Sequence, residues 1–335
     1  MHQNNEYSRL KKRKQKKRRL IIYIAIPILI FIGLGATYVG AVLNKAENVV
    51  SSSYEDDGRE QGSELREEIP DPTKDNISIL FVGIDQGGAR QDPNTKGLSD
   101  ALILATFNKQ DHSVKMLSIP RDSYVYVPSE DTFTKITHAH AYDGVKGSID
   151  TIEHLLDIPI DYYVRLNFDA FIDVIDALNG VKVDVPYEVY EMDSNDVEGA
   201  IHLVPGEQLL SGEEALAFAR TRRKDSDLER VKRQQQLMSA ILDRAISMNA
   251  VVNITTLFDA VGDNMTTNLN WNEIKSLSSY ALSGDLTIEN LSLEGYDKWE
   301  DAYYFGLDEE HLEEVKDTLR THLDLDVSSS INDTY

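Results

Sequence analysis

Residues 20–43 run for 24 positions without a charged side chain, directly behind a tail in which nine of the first 19 residues are Lys or Arg and only Glu6 is acidic. A helix of that length spans roughly 36 Å, enough to cross a bilayer with some tilt. Backbone polar groups in hydrocarbon need internal partners, so an inserted run of this kind is a helix. The basic flank sets residues 1–19 in the cytoplasm and the remainder of the chain outside it, on a single-pass anchor in the cell membrane. A cleaved signal peptide carries a shorter apolar core, about 7–15 residues, so an uncleaved signal-anchor is expected. A Lys/Arg cluster that ends at such a span is explained by topology and by anionic lipid headgroups, and no nucleic-acid partner is expected.

The chain beyond residue 43 is a different material. Of 34 basic and 57 acidic residues in all, nine and one belong to the tail, which leaves 25 and 56 and a net charge of −31. Such a surface repels anionic polymers in general, so a local cluster of arginines on it is informative. Cysteine is absent, which excludes disulfides, thiolate metal sites and cysteine nucleophiles.

Residues 44–75 combine a serine triplet (51–53), many acids and Pro70-Asp71-Pro72 with no apolar periodicity, the composition of a flexible acidic linker. A folded domain is expected over 76–325, followed by a short tail at 326–335. Residues 77–84 form a nearly continuous apolar run, as a buried central strand does. Residues 101–107, 114–119 and 162–166 read the same way, and 124–127 and 181–185 are further strands. Helices are expected over 148–156, 168–178, from Ser211 to Arg220 behind a capping box with Glu214, 228–248, 271–282 and 308–323. The C-terminal part is expected to be mostly helical. Strands alternating with helices predict an α/β domain, a mixed sheet covered by helices on both faces.

Four clusters can carry chemistry. Gly83-Ile84-Asp85 ends one buried strand and Ser99-Asp100-Ala101 opens another. Ligands of open α/β sheets gather at strand ends. Two carboxylates brought together there would hold a hard divalent cation such as Mg²⁺; alternatively each caps a turn. Ile119-Pro120-Arg121-Asp122 places a charged pair behind a strand, as a site element or as a surface ion pair. Between 220 and 232, six residues are Arg or Lys. Arg230, Arg233 and Gln234 share a helix face, and the planar fork of arginine suits phosphate; the alternative is a solvated helix neutralised by Asp225, Asp227 and Glu229. His138 and His140 alone are poor evidence for a metal site.

Taken in order, these segments resemble the LytR-CpsA-Psr family of bacterial cell-wall enzymes. The resemblance rests on residues 81–85, 99–102, Leu117-Ser118-Ile119-Pro120-Arg121-Asp122, Lys135-Ile136-Thr137-His138-Ala139, 158–164, 178–181, Ala219-Arg220-Thr221-Arg222, Asp227, Arg230 and Arg233-Gln234-Gln235. It implies an α/β/α sandwich with a greasy pocket for a polyprenyl tail. It also implies a phosphotransferase that moves a glycopolymer, such as wall teichoic acid or capsular polysaccharide, from a polyprenyl-pyrophosphate carrier to N-acetylmuramic acid of peptidoglycan. Asp85 and Asp100 match the Mg²⁺-associated acids; Arg121, Arg220, Arg222 and Arg230 match the arginines around the pyrophosphate. Asp122 and Asp227 match supporting acids. Either both metal-associated acids hold the cation or one takes the proton of the incoming hydroxyl. Thr137 departs from the asparagine expected there. The helices over 168–178 and 231–245 are candidate walls of the lipid pocket, or else core. The same residues would also serve a polyprenyl-pyrophosphate hydrolase, and a third alternative is a non-catalytic lipid-binding regulator of wall metabolism.

Overall fold

The protein is described by a computed structural model over residues 44–325, apart from 46, 60–61, 85–95, 222–226, 248–259, 262–263 and 283–285. The basic tail, the expected span at 20–43, Asp85, Arg222 and the C-terminal tail therefore lie outside the described residues. Among the described residues no helix is long and apolar enough to cross a membrane.

In chain order the elements are β1 (Ile77–Ile84), β2 (Ser99–Asn108), β3 (Ser113–Ile119), β4 (Tyr124–Val127), β5 (Thr132–Lys135), α1 (Ile136–Leu156), β6 (Tyr162–Asn167), α2 (Phe168–Ala177), β7 (Val181–Val185), β8 (Val189–Glu191), β9 (Ile201–Leu203), β10 (Gly206–Leu210), α3 (Gly212–Arg220), α4 (Asp227–Ser247), β11 (Met265–Thr267), α5 (Trp271–Leu282), β12 (Thr287–Ser292), β13 (Gly295–Trp299), β14 (Tyr303–Leu307) and α6 (Glu309–His322). Six strands form one mixed sheet in the order β11-β6-β1-β2-β3-β12. β1 runs parallel to β6 and antiparallel to β2, and β3 runs parallel to β12.

Strand side chains alternate between faces, and each face of this sheet has its own helical cover. On one face Leu80, Val82, Leu102, Leu104 and Leu117 pack with Ile149, Ile152 and Leu156 of α1 and with Val315 and Leu319 of α6. On the other, Phe81, Ile103, Ala105 and Met116 meet Met238 and Leu242 of α4. A separate cluster joins α2 to β7 and β10 through Ile175, Val181, Val183 and Leu210, with Phe218 of α3 and Leu237 of α4. α1 begins twelve residues before the expected 148. A break at Asp143 and Gly144, where Gly144 has φ +67°, lets two helical pieces bend around the sheet.

The chain between the expected span and β1 corrects the linker assignment. From Val50 onward it lies on the domain. Val50 and Ser53 are buried. Tyr54 bridges Thr267 of β11, and the Glu55 N–H donates to the Thr267 carbonyl at 2.9 Å. Arg59 pairs with Asp57 at 2.7 Å and Glu153 at 3.0 Å and donates to the Ile160 carbonyl at 2.7 Å. Arg66 pairs with buried Asp161 at 2.7 Å. The segment is held by charge and backbone pairing, which leave no apolar periodicity to read.

Burial pushes the Asp161 carboxyl up to about 6, although the Arg66 guanidinium and the Ser78 N–H and hydroxyl oppose it. The ordinary value is near 3.9, so ionised Asp161 costs stability above the folded value and the cost is relieved as pH falls through it. Arg66→Ala strips the carboxylate of its cation. It is expected to lose about 3 kcal/mol of stability near pH 7.5 and clearly less near pH 5, where folded Asp161 is protonated. Urea midpoints at the two pH values measure this, and equal losses at both would mean that Arg66 acts through packing alone.

Candidate active site

The C-terminal end of β1 and the start of β2 hold the key local irregularity. Seven Cα pairs run in register from Ile77↔Phe107 to Gly83↔Ala101, after which Ile84 pairs with Ser99. Asp100 is thus the extra residue of a β-bulge, a device that re-aims a side chain at a strand end. Its carboxylate pairs with Nη1 of Arg121, and both side chains remain about a quarter exposed. Pro120 stops β3, so Arg121 leaves the ladder at the sheet end. Behind it the buried Asp122 carboxylate lies 3.6 Å from Arg121 Nε and accepts from Lys135 Nζ at 2.6 Å. Thr137, in place of the expected asparagine, ties the corner together: its hydroxyl donates to the Ser99 carbonyl at 2.8 Å and its N–H to the Arg121 carbonyl at 3.2 Å.

This corner closes one end of a cavity of about 350 Å³ on the α4 side of the sheet. Its floor is Phe81, Gly83, Ala101 and Ile103; Leu166, Phe168, Phe171 and Leu216 form one side, and Leu237, Met238 and Ile241 of α4 the other. Its polar lining is Asp100, Arg121, Asn167, Arg220, Arg230 and Gln234. On α4, positions 230, 234, 237, 238 and 241 recur at helical spacing, so one stripe presents first a guanidinium and an amide and then apolar surface. The Arg220 guanidinium, on the last residue of α3, lies 5.0 Å from the Phe168 ring centroid. Arg230 is buried in this lining. Three guanidinium groups against one carboxylate make the polar end a site for an anion on a protein that is otherwise acidic.

Several expected residues therefore meet here: Asp100, Arg121, Arg220 and Arg230 line the cavity, and Asp122 braces Arg121. Asp85 and Arg222 fall outside the described residues, and of the Asp227 side chain nothing is described beyond its place at the start of α4. Arg233 is not part of the cavity. It is buried, donating from Nε to the Phe218 carbonyl at 3.0 Å and from Nη1 to the Tyr187 hydroxyl at 3.0 Å, with Nη2 on the Thr221 carbonyl. Lys135, Asn167 and Gln234 are additions. Lys135 and Gln234 stood in quoted motifs, whereas nothing in the sequence marks Asn167, whose side chain caps α2 by accepting from the Ala170 N–H. The helices 168–178 and 231–245 do supply walls. His138 and His140 are engaged separately, with Thr134 and with the Gly97 carbonyl. His140 is fully buried, and burial holds its imidazole below the usual histidine range.

The model of the LytR_cpsA_psr family matches residues 40–321. The chain belongs to that family. It is 39% identical over 317 residues to the polyisoprenyl-teichoic acid–peptidoglycan teichoic acid transferase TagT of Bacillus subtilis (strain 168), covering 93% of this chain and 98% of that one. It is 37% identical to TagV of the same organism, over 92% of this chain and 79% of TagV. Among solved structures, TagT bound to LI-WTA superposes with a TM-score of 0.68 at 42% identity, over 80% of this chain and 98% of that chain. The YwtF (TagT) structure with bound octaprenyl pyrophosphate lipid does so with a TM-score of 0.65 at 38% identity, over the same shares.

Among the expected arginines the structure thus separates two duties. Arg233→Lys loses the forked contacts to the Phe218 and Thr221 carbonyls and is expected to cost about 2 kcal/mol of stability, whereas Arg121→Ala, at a partly exposed position, is expected to leave the melting temperature within about 2 °C of wild type. Calorimetry on both variants tests this; a destabilised Arg121→Ala with an unaffected Arg233→Lys would reverse the assignment.

Proposed function

We propose that this protein transfers a glycopolymer from a polyprenyl-pyrophosphate carrier to N-acetylmuramic acid of peptidoglycan. The observation that carries the reading is the single cavity in which an apolar groove ends among Arg121, Arg220, Arg230 and Asp100. A prenylated pyrophosphate has that same polarity, with a long hydrocarbon chain ending in a compact polyanion. The TagT and TagV names and the octaprenyl-pyrophosphate complex of YwtF support the same substrate class.

In this reading the apolar walls hold the prenyl chain and the guanidinium groups hold the pyrophosphate. The sugar hydroxyl attacks the phosphorus nearer the glycopolymer. Its new P–O bond forms as the bond to the bridging oxygen breaks, and polyprenyl phosphate leaves. Charge builds on the bridging and equatorial oxygens, and fixed guanidinium groups stabilise it without reorganisation. The bulge aims the Asp100 carboxylate into the cavity beside the guanidinium groups, and the proton of the attacking hydroxyl passes to a carboxylate of the site only where that acid is not engaged by the cation.

Mg²⁺ belongs to the proposal as well, with Asp100 and Asp85 as its protein ligands. Among the described residues no group of three or more metal-ligating side chains forms. Mg²⁺ needs no such group, since it is commonly held by one or two carboxylates together with substrate phosphates and water. When bound it supplies charge neutralisation at the phosphates. The run over 20–43 is proposed as the anchor, holding the domain outside the cell membrane and beside a carrier confined to the bilayer.

The test uses the full-length protein in detergent with a synthetic polyprenyl-pyrophosphate glycan, peptidoglycan fragments and Mg²⁺, and products are identified by mass spectrometry. A phosphodiester-linked glycan on muramic acid is expected, slowed about 100-fold in Arg121→Ala and stopped by chelation of divalent cations. Release of polyprenyl phosphate with no adduct, on an acceptor that another family transferase accepts, would replace the transferase by a hydrolase.

A further inference from the structure

Arg121 and Arg220 reach the same polar end of the cavity but are held there by different means. Arg121 commits N–H donors to the protein: Nη1 pairs with Asp100, and Nε lies 3.6 Å from the Asp122 carboxylate. Among the described residues no carboxylate or carbonyl engages the Arg220 side chain. The group that meets it is the Phe168 ring, over which Arg220 Cζ lies 5.0 Å from the centroid. A ring attracts a cation through its quadrupole. It steadies a guanidinium in that way while the forked N–H donors stay available to phosphate.

Both partners stand on fixed backbone. Phe168 follows directly on Asn167, the last residue of β6, which pairs with Ile84 of β1. The Asn167 side chain caps α2 by accepting from the Ala170 N–H at 2.9 Å, and its Nδ2 donates to Asn264 Oδ1 at 2.9 Å. Arg220 ends α3, and Arg233 binds the Phe218 and Thr221 carbonyls on either side of it. The two helices are themselves locked together. The Gly212 N–H at the start of α3 donates to Asp176 Oδ1 of α2 at 2.8 Å, and a Cβ on Gly212 would collide with the Ile172 carbonyl. Ring and guanidinium therefore meet through the packing of regular elements, which places them more closely than a loop would. The ring also forms part of the cavity wall with Leu166, Phe171 and Leu216. An aliphatic side chain of similar volume would fill that wall as well. Holding the cation is the duty that needs a ring.

We propose that Phe168 is a positioning residue, whose ring holds the Arg220 guanidinium at the polar end of the cavity with its donors open to the pyrophosphate of the carrier. The proposal rests on the transferase reading above and divides the work among its arginines: Arg121 is set by Asp100 and Asp122, and Arg220 by Phe168. The probe is inorganic pyrophosphate with Mg²⁺, added to the full-length protein in detergent and followed by calorimetry. Without a prenyl tail it reports on the cationic end and not on the apolar wall. Phe168→Leu and Phe168→Met fill the wall without a ring, and each is expected to weaken pyrophosphate binding about tenfold. Phe168→Tyr should bind within about twofold of wild type. Arg220→Lys, which keeps the charge but not the planar fork, should lose about as much as Phe168→Leu. In the Arg220→Lys background Phe168→Leu should cost less than about twofold more, because the two side chains act as one unit. In the transfer assay Phe168→Leu should lower kcat and Phe168→Tyr should restore it. Wild-type pyrophosphate binding by either aliphatic variant or by Arg220→Lys would overturn the role, as would equal losses from Phe168→Leu with and without Arg220→Lys. Pyrophosphate binding that depends on both residues in a protein that transfers nothing would keep the pair and sink the transferase reading instead.

Discussion

The cavity depends on the pairing of β1 with β2 and on the one residue by which that pairing is interrupted. Seven matched pairs fix the two strands from Ile77 to Gly83, and both faces of each strand are covered, so a slip by one residue would turn a whole apolar set to the wrong face. The extra residue falls at Asp100. A rigid ladder therefore ends in a single re-aimed carboxylate. Arg121, Asp122, Lys135 and Thr137 are arranged around that end by short contacts from β3, β5 and α1.

The second constraint is the seating of α4. One helix face closes the apolar cavity with Leu237, Met238 and Ile241 and brings Arg230 and Gln234 to its polar end. Neighbouring positions hold the helix in register with its surroundings. Arg233 binds the Phe218 and Thr221 carbonyls at the end of α3, Gln235 donates to the Leu291 carbonyl of β12 at 2.7 Å, and Gln236 donates to the Asp184 carbonyl on β7 at 3.1 Å. Arg230 thus faces the cavity from a helix anchored on three sides. This is the preorganisation that electrostatic stabilisation of a developing phosphoryl charge requires.

Much of the fold was legible because burial writes itself into period and run length. β1, β2, β3 and β6 are apolar runs, α2 and α4 carry apolar residues at helical spacing, and the Ser211–Glu214 capping box marks the start of α3, where the Ser211 N–H donates to Glu214 at 2.8 Å. The misses have one physical cause. The segment after residue 49 is fixed by Arg59 on Glu153 and by Arg66 on Asp161, contacts that span 94 and 95 residues and leave no local pattern. The C-terminal part, expected to be mostly helical, contains β12 as a sheet edge and the β13–β14 hairpin, whose exposed faces remove the alternation by which a half-buried strand is recognised.

The sequence by itself determined the chemistry: the residue types, their order, the family they belong to, and a charge pattern in which clustered arginines stand out against an acidic surface. Tertiary structure alone decided which of those arginines serve the cavity. Arg230 and Arg233 are three positions apart on one helix, yet one lines the pocket and the other holds a helix end, because α3 packs on only one side of α4. It also decided that Thr137 braces the arginine corner and that two distant hairpins set their rings beside it. Spacing along a chain fixes which side chains share a face, but the partner each face meets is set by packing between elements far apart in sequence.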